Sequence, residues 1–227
     1  FKNIANLQGY SANDISEWNG IYTGKYKTLI NVPISIASAL AASSVPALTA
    51  AYTNGKKEAV RSQINTAIRF IMVVAFPCAV GMGVLASPIL QLLFRDSSEL
   101  AASMLQLGAV SIVFFSLSTL SNGLLQGINR MREPVKNALI ALVLHIGLLV
   151  VLMYAFQLNI YAVVYANAFF GLLMCVLNAY SVKKYSGYRQ EIRRTFVIPG
   201  ISALIMGVAV YRSEERRVGK ECRSRWS

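Results

Sequence analysis

Residues 138–156 read ALIALVLHIGLLVVLMYAF, and the middle of this stretch holds His145, the single histidine of the chain. A helix needs about 20 mostly apolar residues to cross the hydrocarbon core of a bilayer, which is roughly 30 Å thick. Five further stretches of similar character fill most of the chain. The six predicted spans are Thr28–Ala50, Phe70–Phe94, Met104–Gly127, Ala138–Phe156, Ile160–Val182 and Phe196–Tyr211. The sequence therefore predicts an all-α, polytopic transmembrane helical bundle embedded in a lipid bilayer.

The composition and the placement of the charges agree with a membrane protein and argue against a nucleic-acid partner. The 227 residues are 55% hydrophobic and 14% charged, with a formal net charge of +12. A soluble domain of this size would need more charge on its surface. The first, third and fifth loops between the spans are basic, whereas the second is mixed and the fourth is uncharged. Because basic loops stay on the cytoplasmic side, we interpret the charge as an orientation signal.

The two ends of the chain differ from the spans. In residues 1–27, polar and apolar residues alternate, and we expect the end of a preceding span followed by an extracytoplasmic loop. The segment Arg212–Ser227 holds six Lys or Arg and three Asp or Glu, and a charge at the membrane centre costs several kcal/mol. This tail resembles translated adapter sequence, so we expect residues 212–227 to be non-native. The chain also starts without an initiator methionine, and we expect it to begin in mid-protein.

Polar side chains within the spans are the candidate site residues. Ser111, Ser118 and Asn122 share one helical face of the third span. His145 lies in the middle of the fourth span, and Asn31 lies in the first. Polar groups avoid lipid, so these side chains face other helices or a water-filled cavity. Interhelical packing accounts for them as well as a cavity does. We take Asn31, Ser118, Asn122 and His145 as substrate-cavity candidates.

Prolines interrupt the first two spans. Pro33 and Pro46 lie in the first, and Pro77 and Pro88 lie in the second. Proline removes a backbone hydrogen bond and bends a helix, and transporters use such broken helices to line a cavity. Prolines are also more frequent in membrane helices in general, so both interpretations stay open.

No pattern of residues predicts an enzyme, a cofactor or a metal site. Cys78 and Cys175 lie in different spans, and no Cys/His spacing is typical of a metal site. The sequence has no glycine-rich phosphate loop, and the outer loops are too short to build an active site. We therefore predict movement of a substrate rather than catalysis, with no cofactor and no metal.

Three stretches carry a resemblance to a known family. GIYTGKYKTLINVPISIASALAASSVPALTA (Gly20–Ala50) resembles the start of the second half of polysaccharide-biosynthesis membrane proteins. LLQGINRMREPVKNALI (Leu124–Ile140) is similar to their LQG-basic-Pro-x-x-N junction between two spans, and AFPCAVGMGVLASPILQLLF (Ala75–Phe94) resembles their proline- and glycine-marked span. In this order, the stretches are similar to the multidrug/oligosaccharidyl-lipid/polysaccharide flippase superfamily. Its branch of stage V sporulation protein B and peptidoglycan-precursor flippase-like proteins looks nearest.

The resemblance implies a two-lobe transporter with fourteen spans, of which this chain would hold spans eight to thirteen. The missing N-terminal lobe of the same protein would then be a partner. The implied substrate is a lipid-linked sugar on a polyprenyl pyrophosphate carrier, moved across the bacterial cytoplasmic membrane. In such flippases, basic cavity residues hold the pyrophosphate, and the spans here contain no arginine suited to that role.

The first hypothesis is therefore a membrane flippase or exporter of lipid-linked oligosaccharide or peptidoglycan precursors for the cell envelope. One alternative is a cation-coupled multidrug exporter of the same superfamily, which would need acidic residues buried in its spans. Another is a non-transporting membrane scaffold in envelope synthesis or sporulation. A membrane-bound synthase is disfavoured because the sequence lacks extramembrane catalytic groups.

Overall fold

The computed structural model describes residues 2–7, 9–188 and 190–224, and these residues are overwhelmingly α-helical. Six helical segments within the described ranges are long and apolar enough to cross a membrane. The predicted fold class, an all-α transmembrane bundle, is confirmed. The helices are α1 (Lys2–Leu7), α2 (Ala12–Gly20), α3 (Lys27–Thr53), α4 (Lys57–Val84), α5 (Ala86–Phe94), α6 (Glu99–Gly108), α7 (Val110–Gly127), α8 (Arg132–Tyr154), α9 (Asn159–Ser186) and α10 (Ile198–Ser224).

The first span starts earlier than the sequence predicts. A π-helical segment, Ile21–Tyr26, joins α2 to α3 without a break, so Ala12–Thr53 is one helical segment of 42 residues. At about 1.5 Å per residue, this length is roughly twice the thickness of a hydrocarbon core. Residues 12–26, expected to form part of an extracytoplasmic loop, are therefore helical, and Ser11 caps them by accepting from the backbone N–H of Asn13.

The second and third predicted spans are each divided in two. The predicted span 70–94 is divided at Leu85, between α4 and α5. Pro88 lacks the N–H that would bond to the carbonyl of Val84, so the helix ends there and restarts with proline in its first turn. The predicted span 104–127 is divided at Ala109, next to Gly108, where the ring of Tyr26 packs in the space that a side chain would fill.

The last helix continues past the predicted end of the sixth span at Tyr211 and runs to Ser224. Arg, Glu and Lys are good helix formers, so the change after Tyr211 is one of charge rather than of backbone conformation. The part of this segment that qualifies as a span covers Arg193–Glu214. That residues 212–227 are non-native stays a prediction.

Helix α7 is the centre of the bundle. In the windows that qualify as spans, 67% of α7 is buried, against 17% of α8. α7 packs against α3, α4 and α9, while α8 lies on α9 and α10 lies on α4. Small residues allow these close approaches, because a Cβ added to Gly123 would lie 2.7 Å from the Cβ of Ala41.

Candidate functional site

One exposed helix face is too polar for contact with lipid. Lys27, Asn31, Ser35, Ser38 and Ala42 follow one another along α3 at helical spacing, and all five are exposed. We call this row the α3 stripe. Two larger apolar residues, Val32 and Ile36, lie beside its outer half. A lysine and an amide are costly to expose to acyl chains, whereas the Ser35 hydroxyl donates to the carbonyl of Val32. We expect the α3 stripe to face either water or another protein segment.

The exposed face of α8 has the opposite character and serves as an internal reference. Between residues 138 and 151 its exposed residues are apolar, as expected for a helix surrounded by lipid, whereas its first turns carry the exposed charges of Arg132 and Lys136. Apart from Gly147, the exposed residues of this part are Leu139, Ile140, Leu142, Val143, Leu144, Ile146, Val150 and Val151. The contrast between the two helices shows that the α3 stripe is a specific property of one side of the bundle.

A groove between α3 and α4 extends this polar side toward the basic end of the bundle. It has a volume of about 400 Å³ and combines hydroxyl groups with apolar side chains. Ser43 and Ser44 border it from α3, and Ser62 and Thr66 border it from α4. The side-chain oxygen of Gln63, which also lines the groove, is buried and accepts no hydrogen bond from the described residues. The groove and the α3 stripe together form the candidate site.

The structure separates the four predicted site residues into three environments. Asn31 lies on the α3 stripe, where the described residues provide it with no hydrogen-bond partner. Ser118 and Asn122 lie on the other side of the bundle core, between α7 and α9. His145 lies between α8 and α9. Only Asn31 is thus part of the candidate site described here.

Ser118 and Asn122 belong to a buried polar cluster that joins three helices. The Nδ2 of Asn178 donates to Asn122 Oδ1 at 2.7 Å and approaches the carbonyl oxygen of Ser118 at 3.5 Å. The Nδ2 of Asn137 donates to Asn178 Oδ1 at 2.9 Å and to Ser181 Oγ at 3.1 Å. These bonds connect α7, α8 and α9 through their side-chain amides. Their geometry supports the packing interpretation of this face.

Sequence reasoning missed Asn137 and Asn178, the two residues that organise this cluster. A signal for both was present. Asn137 closes the Pro-x-x-Asn motif of residues 134–137, and Asn178 is an amide within the apolar stretch of α9. A polar side chain in a span needs a hydrogen-bond partner. The sequence therefore indicates that each of these asparagines has a polar partner, but it does not indicate on which helix that partner lies.

His145 contacts two residues of the neighbouring helix α9. Its Nδ1 lies 2.8 Å from the carbonyl oxygen of Ala166, so this nitrogen carries the proton and donates. Its ring packs edge-on against Phe170, with the ring centroids 5.6 Å apart. These contacts attach α8 to α9 and direct the imidazole away from the α3 stripe.

An ion pair closes the outer end of the bundle. The ammonium group of Lys25, just before α3, bonds to the carboxylate of Asp96 in the loop between α5 and α6. The backbone N–H of Ser98 donates to Asp96 Oδ1 at 2.9 Å. The Lys25 bond, followed by that N–H, holds the pKa of Asp96 below its usual value. Close to this pair, Lys27 lies 5.4 Å from the centroid of the Tyr22 ring, at the outer end of the α3 stripe.

The described residues contain no group of three or more His, Cys, Asp or Glu side chains that could hold a metal ion. Cys78 and Cys175 are free thiols. The candidate site itself presents hydroxyl, amide and ammonium groups.

Fold and site together define a multi-pass membrane protein with one polar side. The family model described as "Lipid II flippase MurJ" matches residues 27–219, and the chain belongs to this family. The match covers α3 to α10, including the candidate site, and extends past Tyr211. Membership of the flippase superfamily that the sequence motifs indicated is thus confirmed.

Two curated relatives carry related names. "Lipid II flippase MurJ" of Bacillus subtilis (strain 168) is 29% identical over 195 residues, which is 84% of this chain and 35% of the relative. "Probable lipid II flippase MurJ" of Bdellovibrio bacteriovorus is 27% identical over 217 residues, which is 90% of this chain and 41% of the relative. The chain therefore spans well under half the length of these relatives. No solved structure matches the chain significantly.

Proposed function

We propose that this chain is one lobe of a flippase that moves a lipid-linked peptidoglycan precursor across the bacterial cytoplasmic membrane. The α3 stripe is the observation that carries the proposal. A precursor of this kind has a polar sugar and pyrophosphate head that the hydrocarbon core does not dissolve. A polar helix face along the bundle provides a path on which the head keeps polar contacts while its lipid tail stays in the bilayer.

The lobe needs a second lobe to enclose this path. The relatives are much longer than the chain, and in the proposed assembly the remaining N-terminal lobe of the same protein packs opposite α3 and α4. Water then fills the space between the lobes. The cargo's acyl chains remain outside, against lipid-facing helices such as α8.

Within the site, Lys27 and Asn31 are the best placed to meet the pyrophosphate. They lie one turn apart on the α3 stripe and are both exposed. Lysine binds phosphate as a point charge, and an asparagine amide donates two hydrogen bonds. Lys27 takes the place of the cavity arginine that the sequence lacks, and further cationic contacts come from the other lobe. This role makes the protein a transporter rather than an enzyme.

Function is tested in a strain depleted of its own lipid-linked peptidoglycan-precursor flippase. The longest native reading frame that contains this chain is expressed there, and survival is measured together with resistance to cationic dyes. Rescue of growth without dye resistance is the expected result. Dye resistance without rescue identifies the drug exporter instead, and neither effect in a membrane-inserted protein identifies the scaffold. Whether the protein belongs to the stage V sporulation protein B-like branch is tested by rescue of a sporulation defect.

A further inference from the structure

A polar cleft lies at the basic end of the bundle, on the side that the charge distribution assigns to the cytoplasm. It lies between the first turns of α4 and the turn that joins α9 to α10. Two adjoining cavities, of about 690 Å³ and 480 Å³, form it, and Arg61 and Gly187 line both. Volumes of several hundred Å³ are typical of small-molecule sites. We call this feature the cytoplasmic cleft. It is separate from the α3 stripe and does not depend on the cargo.

The cleft contains cations that form no ion pair with the described residues. Lys57 lines the second cavity, and Arg61 lies between the two. The ion pairs formed among the described residues are Lys25–Asp96 and Lys136–Glu133, and neither involves a cleft cation. Glu191 lines the first cavity without pairing to Arg61. With two cations and one carboxylate, the lining has an excess of one positive charge, which suits a singly charged anion.

Further hydrogen-bond donors line the first cavity together with Arg61. The hydroxyl of Tyr188 donates to Asn65 Oδ1 at 3.0 Å, which occupies the oxygen of that amide and leaves its NH₂ group to donate. Ser62 adds a hydroxyl to the same cavity. Guanidinium, amide and hydroxyl groups that line one cavity can together donate hydrogen bonds to phosphate oxygens.

Gly187 explains how the guanidinium reaches its position. Its φ of +63° is in the left-handed region, and a Cβ there would lie 2.7 Å from Arg61 Nη2. The glycine therefore both makes the turn after α9 and leaves room for the end of the Arg61 side chain. An orientation signal needs positive charge only, and it does not need this fit.

Aromatic residues in the lining favour a position of the cleft at the depth of lipid headgroups. Tyr52 and Tyr185 line the second cavity, and the Arg130 guanidinium lies 4.6 Å from the centroid of the Tyr185 ring. Tyrosine is enriched where the hydrocarbon meets the headgroups, and the cytoplasmic leaflet carries anionic lipids. We propose that the cytoplasmic cleft binds the phosphodiester of an anionic phospholipid headgroup, with Arg61 as its main contact and Lys57 as the second cation.

Native mass spectrometry of the intact native protein tests the proposal. The protein is purified in detergent with equal amounts of phosphatidylglycerol and phosphatidylcholine, and the lipids that stay bound are identified by mass. We expect preferential retention of phosphatidylglycerol. The double variant Arg61→Ala/Lys57→Ala should lower that retention by at least tenfold, and Arg61→Lys should lower it severalfold because a lysine lacks the planar fork. Arg132→Ala, which removes an exposed arginine outside the cleft, is the control.

Two results would overturn the proposal. The first is equal loss of phosphatidylglycerol from Arg132→Ala and from the cleft variants, since the basic loops would then act only through total charge. The second is displacement of the lipid by inorganic phosphate at equal concentration, which would make the ligand a soluble anion. Arg61→Lys conserves the net charge, and unchanged helicity and thermal transition in that variant show that a loss of binding is not a loss of folding.

Discussion

Asn178, which is fully buried on α9, donates to the half-buried Asn122 on α7 across 2.7 Å. The same side chain accepts from Asn137 on α8. One amide thus joins three helices, and its three neighbours lose a partner if it is removed. This relationship supports a packing role for the side chain of Asn122, and Ser118 and Asn122 as substrate-cavity residues stay a prediction. The α3 stripe is the side of the bundle that we propose for the substrate.

Replacing Asn178 by alanine should destabilise the bundle. Interhelical hydrogen bonds in membrane proteins contribute about 1–2 kcal/mol at most, and the variant removes the partner of Asn122 and leaves Asn137 with only its bond to Ser181. We expect a loss of about that size in the free energy of unfolding, measured by titration with sodium dodecyl sulfate. Asn31→Ala removes the same side chain from an exposed position and should change the stability by less than about 0.5 kcal/mol. Equal losses in the two variants would contradict the packing role.

The contact between α3 and α7 should be sensitive to a single methyl group. Gly123→Ala places a Cβ 2.7 Å from the Cβ of Ala41 and 3.3 Å from its Cα. The helices must separate, and overpacking of this kind costs about 1–3 kcal/mol. At Gly147 on α8, an added Cβ meets no atom within 4 Å. Gly147→Ala is therefore the matched control, and it should leave the thermal transition unchanged or raise it slightly. A Gly123→Ala variant as stable as Gly147→Ala would refute the close approach.

The outer ion pair predicts a pH dependence of defined sign. The pKa of Asp96 is lowered in the folded protein, so its contribution to stability is present above the unfolded pKa and is lost as the pH falls through the folded value. We expect faster amide exchange around residues 96–98 in Asp96→Asn than in the unsubstituted protein at pH 7. The difference should shrink as the pH falls below about 4. If it persisted undiminished at pH 2, the bond from Lys25 would not be its cause.

The proposed role of Lys27 predicts a selective loss of transport. Lys27→Gln removes the cation at the outer end of the α3 stripe and should lower rescue of a flippase-depleted strain, with unchanged amounts of protein in the membrane. Lys183→Gln removes an exposed lysine from the last turn of α9, away from the stripe, and serves as the control. Full rescue by Lys27→Gln would exclude the lysine from cargo binding, although it would leave the family membership intact.

The number and the character of the spans could be predicted from the sequence because hydropathy is a local property. The break at Leu85 could also have been predicted from the sequence, because Pro88 lacks a backbone donor whatever the helix packs against. That Ser111, Ser118 and Asn122 share a face follows from helical spacing, and the three do lie on α7. Whether this face meets water or Asn178 depends on which helix packs against it. That choice is set by long-range packing and is absent from any local pattern.

The candidate site shows the same limit. Ser35 and Ser38 are ordinary hydroxyls in a span, and nothing local distinguishes them from Ser118. Only the packing of α3 against α4 and α7 leaves Ser35 and Ser38 exposed and buries Ser118. His145 was a natural candidate as the single histidine, yet the carbonyl of Ala166 lies within reach of it. Its role in a substrate cavity stays a prediction.

The central claim is that the α3 stripe faces water within the assembled protein. Single cysteines at Ser38 on α3 and at Val143 on α8, introduced after replacing Cys78, Cys175 and Cys222 by alanine, test it directly in intact membranes. Both positions are near the middle of their helices and are exposed on the bundle. A membrane-impermeant maleimide should label Ser38→Cys and leave Val143→Cys unlabelled, because a thiol in lipid neither ionises nor meets the reagent. Equal labelling of the two positions, or none at Ser38→Cys, would contradict the account.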